Sequence, residues 1–365
     1  MKQSLAQRSI EGPVNRPLTD FEKTNQLDNH ILGKGIPLTH SNLIIRMNST
    51  FLEMPQDGFP NHRINFGMAA LFMLVPIVPI SIILFDALSK LNVSFITIAI
   101  FGFLWFLAVF LGSLLFKISF FNYTHRPIRF NRKQQCVHFF RFDGSQLTVP
   151  WKDIVFTCSK KNILQPVYIA ANIIDPKTGI MTERFFLPEM TVSPPFFHAQ
   201  AKRHYYPDLV SIWAFIVEYM EGNNLPELTR LVYYCIPIAK KKESPYWSML
   251  FSLSTLNPQF SRYYTNFSFL FEMLFFVISF PILLLTNLTN KFPRWNPEIE
   301  SMCQIEPNDP INLSNKTNPT GWKLFRYVTS MLTLQEFSHW LEDMKWSESL
   351  SRSEQAPPNE SHNEK

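Results

Sequence analysis

The sequence lacks closely spaced cysteine pairs and has few charged residues. Its four cysteines, Cys136, Cys158, Cys235 and Cys303, are too far apart for a C-x-x-C pair, which argues against a disulfide framework and a zinc site. Charged residues make up only 17% of the chain, below the roughly 25% typical of soluble domains. We therefore expect free, buried thiols and a chain that spends part of its length in a membrane.

Recognisable catalytic and cofactor-binding motifs are also missing. There is no Gly-rich phosphate loop, no G-x-S-x-G, no H-E-x-x-H and no EF-hand loop, and no apolar signal-peptide core near Met1. His198 and His204 stand without a further metal ligand at a useful spacing. A group of acidic residues suits a solvated loop better than a cation site. They are Glu298, Glu300, Glu306 and Asp309. We predict no catalytic residue, no cofactor and no metal.

Long uncharged runs are what the sequence has instead. Residues 66–85 and 93–116 contain no charged side chain, and only residues 86–92 separate them. A bilayer core about 30 Å thick needs roughly 20 apolar residues of helix. We therefore predict a transmembrane hairpin over 65–118. Basic residues stand on its outer flanks, most of them after the second run, whereas the connector has only Lys90; the positive-inside rule then places both ends in the cytosol.

The stretch after the hairpin, 119–222, has the pattern of a folded cytosolic domain. An Asp-Gly pair at 143–144 and the sequence DPKTG at 175–179 are turn signals between short apolar runs. An amphipathic helix is predicted over 207–221, with Gly222 as its cap. The strand candidates are 136–142, 146–151, 154–158, 167–174 and 184–187.

The remaining segments leave alternatives open. Within the connector 223–266, the stretches 225–238 and 246–256 suit either interfacial helices or packing against the domain. A third membrane segment over 267–288 crosses, is re-entrant or lies along the surface; a crossing places the tail outside, and the other two courses place it in the cytosol. The N-terminal part over 1–64 is polar. We expect its first 30 residues to be loosely ordered and residues 41–54 to form a strand or a helix. A loop and an amphipathic helix are predicted over 289–346, and a disordered tail over 347–365.

The whole is thus predicted to be an α+β membrane protein. A helical hairpin comes first, followed by an antiparallel β domain closed by an amphipathic helix, a third membrane helix and a helical C-terminal tail.

Two candidate sites follow from position. The basic strip after the second run suits contact with lipid headgroups, although a purely topogenic flank explains it as well. Its members are Arg126, Arg129, Arg132 and Lys133. Glu272 lies inside the third apolar run, where an ionisable residue is a functional candidate or an interfacial group. An enzyme that uses Glu272 or the acidic loop is the least favoured interpretation.

Several stretches resemble a family of uncharacterised bacterial inner-membrane proteins. They are YTHRPIRFNRKQQCVHFFRFDG followed by VPWKDI, then WAFIVEYMEGN, CIPIAKKKE and PRWNPEIESMC. That family looks like one encoded near type VI secretion and polymorphic-toxin genes, and it supplies no catalytic residue. The order of hairpin, strands and closing helix is also similar to membrane-anchored bacterial pleckstrin-homology-like domains, in which Trp151 and Ile154 would be core residues.

The resemblance implies a non-enzymatic accessory or immunity-type protein of the bacterial inner membrane, with residues 119–266 in the cytosol. The lipid bilayer and protein partners are its expected contacts, nucleic acid is not, and a homo-oligomer is compatible with the pattern. The alternative is a module that senses lipid or envelope state.

Overall fold

In a computed structural model of the chain, helices and antiparallel sheets form an α+β architecture, as the sequence predicts. The structure describes residues 12–29, 38, 44–56, 61–75, 77–89, 95–160, 167–188, 205–232, 235–254, 277 and 280–317.

The elements are numbered here in chain order. The strands are β1 (Arg46–Asn48), β2 (Phe51–Pro55), β3 (Pro127–Asn131), β4 (Cys136–Phe140), β5 (Gln146–Pro150), β6 (Ile154–Lys160), β7 (Val167–Ile174), β8 (Met181–Phe186) and β9 (Asn312–Ser314). The helices are α1 (Asp20–Thr24), α2 (Asn61–Leu74), α3 (Ile77–Ser89), α4 (Phe95–Ser119), α5 (Tyr205–Glu221), α6 (Leu225–Leu231), α7 (Pro245–Ser254), α8 (Phe280–Thr289) and α9 (Pro297–Met302).

The larger sheet is assembled from three distant parts of the chain. Its strand order is β5-β4-β3-β2-β1-β9, and all neighbours are antiparallel. The pair β2–β3 joins strands that lie on either side of the three helices α2–α4, with Pro55 opposite Pro127. The sheet therefore extends beyond the predicted 119–222, because pairing across an insertion leaves no local turn signal in the sequence.

The smaller sheet shares one core with the larger sheet and with α5. Its order is β6-β7-β8, and a single 3₁₀ turn at Trp151–Asp153 leads into it from β5. The Trp151 ring lies 5.0 Å from Phe156 and 5.6 Å from Trp213 of α5, measured between centroids. Residues 211–217 of α5 are buried without interruption, so the predicted amphipathic helix is covered on all sides. The indole Nε1 of Trp213 donates to the backbone carbonyl of Asp28 at 2.7 Å.

The strand predictions are confirmed for β4 to β8, and the 41–54 cluster forms β1 and β2. In the connector, Leu228, Val232 and Cys235 join the main core, and Ile236 donates its backbone N–H to Ile44 at 2.8 Å. The stretch 225–238 therefore packs against the domain and does not lie free at an interface. The predicted helix over 321–346 and the tail over 347–365 fall outside the described residues.

The first predicted span is two helices. α2 ends at Leu74 and α3 begins at Ile77, on either side of Pro76. Proline has no backbone N–H to continue a helix, whereas Pro79 falls in the first turn of α3, where that donor has no partner to lose. The second predicted span is a single helix, α4, of 25 residues.

The N-terminal segment, expected to be loosely ordered, is part of the fold from residue 12. Backbone bridges join Arg16 to Met181 and Gln26 to Thr157, so the segment covers both edges of the smaller sheet. Glu22 of α1 is buried and pairs with Arg16 at 2.8 Å and with the fully buried Arg184 of β8. Ser159 also donates to Glu22, at 3.1 Å. For residues 12–29 the expectation was wrong, because polarity in a short segment does not reveal a buried ion pair made with a distant strand; residues 1–11 lie outside the described residues.

The Glu22→Gln substitution tests this anchoring. Removing one charge of a buried ion pair leaves Arg184 without its partner, and we expect the free energy of unfolding to fall by about 3 kcal/mol. Thermal unfolding of the full chain in a neutral detergent measures the loss. Asp20→Asn is the matched control on the same helix, because that side chain is fully exposed and should leave the midpoint nearly unchanged. Equal midpoints for the two variants would contradict the anchoring role.

Candidate functional site

The helices α2, α3, α4 and α8 carry most of the exposed large apolar side chains among the described residues. Phe85 is 76% exposed and Leu288 is 77% exposed. Val78, Ile82, Ile96, Phe103, Phe106 and Phe110 are exposed in the same way. Contiguous apolar surface of this kind marks an interaction or membrane-contacting face.

Among the described residues, one helix is long and apolar enough to cross a membrane, Ala99–Ser119 within α4. The three predicted spans are thus reduced to one on length alone, because α2 and α3 are separated at Pro76 and only the short helix Phe280–Thr289 of the third segment is described. Glu272 lies outside the described residues.

The helices pack closely where small residues allow it. A Cβ on Gly112 of α4 would stand 2.8 Å from the Leu74 side chain of α2, and one on Gly67 would stand 2.4 Å from Ile282 of α8. Gly102 has open space around it, so of the two glycines in the second run only Gly112 makes a close approach. The Trp105 indole of α4 donates to the Ser81 hydroxyl of α3 at 2.9 Å, which satisfies both polar groups within the apolar surface.

The C-terminal ends of α4 and α8 meet at one place on the domain. Asn290, just after α8, donates to the carbonyl of Ser119 at the end of α4 at 3.0 Å, and it accepts from the Asn122 N–H at 3.0 Å. Asn287 donates to the Glu243 carbonyl, just before α7, at 2.7 Å. Both flanks of the third apolar run are therefore held at this place on the domain.

The chain after the third apolar run stays with the domain. β9 pairs with β1, and Lys291 forms a parallel bridge with Tyr123. A crossing, re-entrant or surface course of 267–288 stays a prediction.

The basic strip predicted to meet lipid is largely engaged within the protein. Arg132 donates to the carbonyls of Tyr219, at 2.7 Å, and Gly222, and so caps the C-terminal end of α5. Lys133 pairs with Glu306. The Arg126 guanidinium lies 5.9 Å from the centroid of the Phe142 ring. For these three residues, headgroup contact stays a prediction.

For Arg129 the predicted headgroup contact is wrong, because the side chain is 1% exposed. Its Nε donates to Glu53 at 2.9 Å and its NH2 donates to Glu300 at 2.9 Å. The guanidinium carbon lies 4.9 Å from the ring centroids of both Phe51 and Trp295. A cation between two aromatic faces and beside a carboxylate keeps its charge inside the protein.

The Glu53 carboxylate is the centre of this cluster. It also accepts from Arg46 Nε and from the Trp295 indole, both at 2.7 Å. Burial opposes ionisation of Glu53, but Arg129 and Arg46 outweigh it and lower its pKa to about 2. Burial, reinforced by the positive charge of Arg129, lowers the pKa of His138 to about 4, so this histidine is neutral at pH 7.

The acidic loop that the sequence singled out holds the last described segment to the sheet. Glu300 pairs with Arg129 and Glu306 with Lys133, while Asp309 accepts from the backbone and hydroxyl of Ser49 at 2.9 and 2.7 Å. No group of histidine, cysteine and acidic side chains able to hold a metal occurs in the described part of the chain.

The four cysteines are buried and free, as expected from their spacing. Burial raises the pKa of Cys136 and of Cys158 to about 11, so both are thiols at neutral pH. Sequence reasoning missed the Glu53–Arg129 pair. The signal available was one acidic residue and one basic residue, each standing alone in a short apolar strand, FLEMP and PIRFN.

Comparison with known proteins gives a family. A family model described as a family of unknown function, DUF6708, matches residues 105–307, more than half of the chain. Neither curated proteins nor solved structures gave a match. The matched stretch runs from within α4 past α9, so β1, β2 and β9 of the larger sheet lie outside it.

The Glu53→Gln substitution tests the buried cluster. Leaving Arg129 without its main partner should lower the free energy of unfolding by about 3 kcal/mol at pH 7. Because the pKa of Glu53 is lowered from 4.5 to about 2, its contribution is complete above pH 4.5 and is lost as the pH falls towards 2. Thermal unfolding of the wild type and of Glu53→Gln is measured from pH 7 downward. The difference between their midpoint temperatures should shrink between pH 4.5 and pH 2.

Glu300→Gln is the matched control for this substitution. Its side chain is half exposed and bonds to the same guanidinium, so we expect a loss below about 1 kcal/mol. A difference between wild type and Glu53→Gln that stays constant down to pH 2 would contradict the assigned role of Glu53.

Proposed function

We propose that this chain, which belongs to the DUF6708 family of unknown function, is a membrane-anchored interaction protein of the bacterial inner membrane. Its helices α2–α4 and the segment ending in α8 insert into the bilayer, and its two sheets stand on the cytosolic side. The observation that carries the proposal is the exposed apolar surface of these helices, joined at one end to a domain with a conventional buried core.

The burial pattern supports insertion. In the most apolar window of α4 only 6% of the residues are buried within the protein, which a core helix of a soluble protein does not allow. Exposed Ile, Val and Phe side chains are each stabilised by roughly 1.5–3 kcal/mol when removed from water. A bilayer is the apolar solvent that accepts such a surface on all sides of a helix.

The hairpin interpretation of 65–118 rests on how its ends are held. Since β2 and β3 are paired neighbours, the chain enters α2 and leaves α4 on the same side. α2 and α3 together, interrupted at Pro76, provide the outward path, and membrane helices tolerate such an interruption. The basic residues at the ends favour the cytosol for the domain.

A role in interaction, and not in catalysis, is supported by the kind of polar clusters that the domain contains. The ion pair Glu22–Arg184 holds the N-terminal segment to β8, and Glu53–Arg129 joins the neighbouring strands β2 and β3; both pairs are buried away from solvent. The sequence beyond β9 carries the apolar stripe predicted over 321–346, which suits docking on a partner. Because β9 is on the domain side, that partner is expected in the cytosol.

The resemblance to proteins encoded near type VI secretion and polymorphic-toxin genes gives the proposal its biological setting. In that setting the protein is an accessory component of interbacterial competition, with cytosolic contacts. Immunity by capture of a periplasmic toxin on the C-terminal tail is disfavoured, because the tail begins on the domain side.

A second candidate function is lipid or envelope sensing by a pleckstrin-homology-like domain. The element order supports it: a meander of antiparallel strands, a three-stranded sheet and a closing helix, with Trp151 and Ile154 in the core as expected. The strip over 123–133 is poorly placed for sensing, since Arg129 is buried and Arg132 caps α5.

Cysteines introduced one at a time at three exposed positions test the membrane topology. We expect Ser89→Cys, at the C-terminal end of α3, to react with a membrane-impermeant maleimide in intact cells. Lys177→Cys, in the β7–β8 turn, and Lys316→Cys, after β9, should react only after lysis, because both belong to the cytosolic domain. The native cysteines are buried and can remain, with the unmodified chain as the control. Labelling of Lys316→Cys but not Lys177→Cys in intact cells would contradict the proposed topology, and release of the chain by alkaline carbonate would contradict insertion.

Deletion of the gene tests the interbacterial role. We expect the deletion to change secretion, toxin sensitivity or the outcome of competition, and the wild-type chain to restore the original behaviour. Complementation with Glu300→Gln should succeed, whereas the destabilised Glu53→Gln should restore less. If all three behaviours are unaffected by the deletion, the interbacterial role is wrong, although membrane anchoring would stand.

A further inference from the structure

Three separate segments converge where the apolar helices meet the domain. Lys242 donates its ammonium to the Asn287 carbonyl at the end of α8 at 2.9 Å. Lys291 donates its backbone N–H to the Asn122 carbonyl at 2.6 Å. With the Asn290–Ser119 bond, these contacts fix 117–126, 239–246 and 287–294 around the base of the helices. We call this set of segments the helix base.

The helix base is strongly positive. Its basic residues are Lys117, Arg126, Lys240, Lys241, Lys242, Lys291 and Arg294. Its single acidic residue, Glu243, is buried and does not face the surface. Four lysines of the set, at 117, 240, 241 and 291, are exposed. Lys242 instead neutralises the negative end of α8, a stabilising position for a cation.

Exposed aromatic side chains lie among these lysines. Phe121 is 66% exposed and Tyr246 is 47% exposed. The backbone of Phe121 has φ of 61°, a left-handed conformation that is strained for a bulky side chain. Strain kept at an exposed ring indicates a function for its position. Aromatic side chains beside lysines are typical of the boundary between hydrocarbon and headgroups.

We propose that the helix base binds the headgroups of anionic phospholipids, with Lys117, Lys240, Lys241 and Lys291 contacting phosphate and Phe121 and Tyr246 lying at the hydrocarbon boundary. This inference rests on the proposed membrane insertion, because only insertion brings the helix base to headgroup level. It moves the lipid contact from the strip over 126–133, where Arg129 is buried, to lysines of three segments that are distant in the sequence.

The magnitude expected from such a surface is moderate and depends on salt. A lysine near an anionic leaflet changes lipid association by about fivefold, and the attraction weakens as ionic strength shortens the screening length. Several lysines acting together should therefore give a measurable preference for anionic over zwitterionic lipid that falls when sodium chloride is added.

The test uses the full chain reconstituted in phosphatidylcholine vesicles with spin-labelled phosphatidylglycerol or spin-labelled phosphatidylcholine. The measured quantity is the relative association constant of the two probes at the protein surface. We expect wild type to prefer phosphatidylglycerol at low salt, and Lys240→Gln/Lys241→Gln/Lys291→Gln to lose at least fivefold of that preference. Lys152→Gln/Lys177→Gln/Lys316→Gln is the matched control, since it removes three exposed lysines outside the helix base and should retain the preference.

Two results would overturn the inference. One is an equal association of both probes with the wild type, and the other is an equal loss in the two triple variants. Neither result concerns insertion itself, because spin-labelled phosphatidylcholine reports protein-contacting lipid in either case. A chain that carbonate releases, or that shows no protein-contacting lipid with either probe, would instead contradict the proposed function.

Discussion

The buried guanidinium of Arg129 is the contact on which the assembly of this domain depends. It lies on β3, pairs with Glu53 of β2, and stacks between Phe51 and Trp295. One side chain thus joins strands from either side of the helical insertion and the segment that follows the last apolar run. A buried charge without its partners is strongly unfavourable, so this side chain stabilises the contact between the three parts. The same logic holds at the N-terminus, where Arg184 requires Glu22.

The apolar helices α2–α4 lie in the chain between two paired strands, β2 and β3, and this position has a mechanical consequence. A membrane anchor at a chain terminus is joined to its domain by a tether, whereas here β2 leads into α2 and α4 leads back into β3. Close contacts of Gly67 with Ile282 and of Asn290 with the end of α4 fix α8 to the same base. Displacement of these helices therefore acts directly on β2 and β3, in the middle of the larger sheet.

Charge has two separate uses in this molecule. Inside the domain, carboxylate and guanidinium groups are paired and hold terminal segments to the sheets, and the pKa of Glu53 is low because its neighbours favour the ionised form. At the helix base, the side chains of Lys117, Lys240, Lys241 and Lys291 remain exposed. The first set contributes to folding and the second is available to a ligand. Position in the fold, and not residue type, separates the two.

The sequence by itself determined the features that depend on neighbouring residues. Strands β4 to β8, the helix ending before Gly222, the apolar runs and the unpaired cysteines follow from local periodicity, turn chemistry and spacing. Only the tertiary structure decided the pairing of β2 with β3 and of β9 with β1. It also decided that the N-terminal segment is ordered against the smaller sheet and that Arg129 is buried. Each of these joins residues that are far apart in the chain, and a partner across such a distance leaves no periodic trace. In the sequence, Arg129 and Lys291 both belong to basic flanks of apolar runs. In the fold, the aromatic rings of Phe51 and Trp295 lie against the Arg129 guanidinium, whereas Lys291 is exposed to solvent.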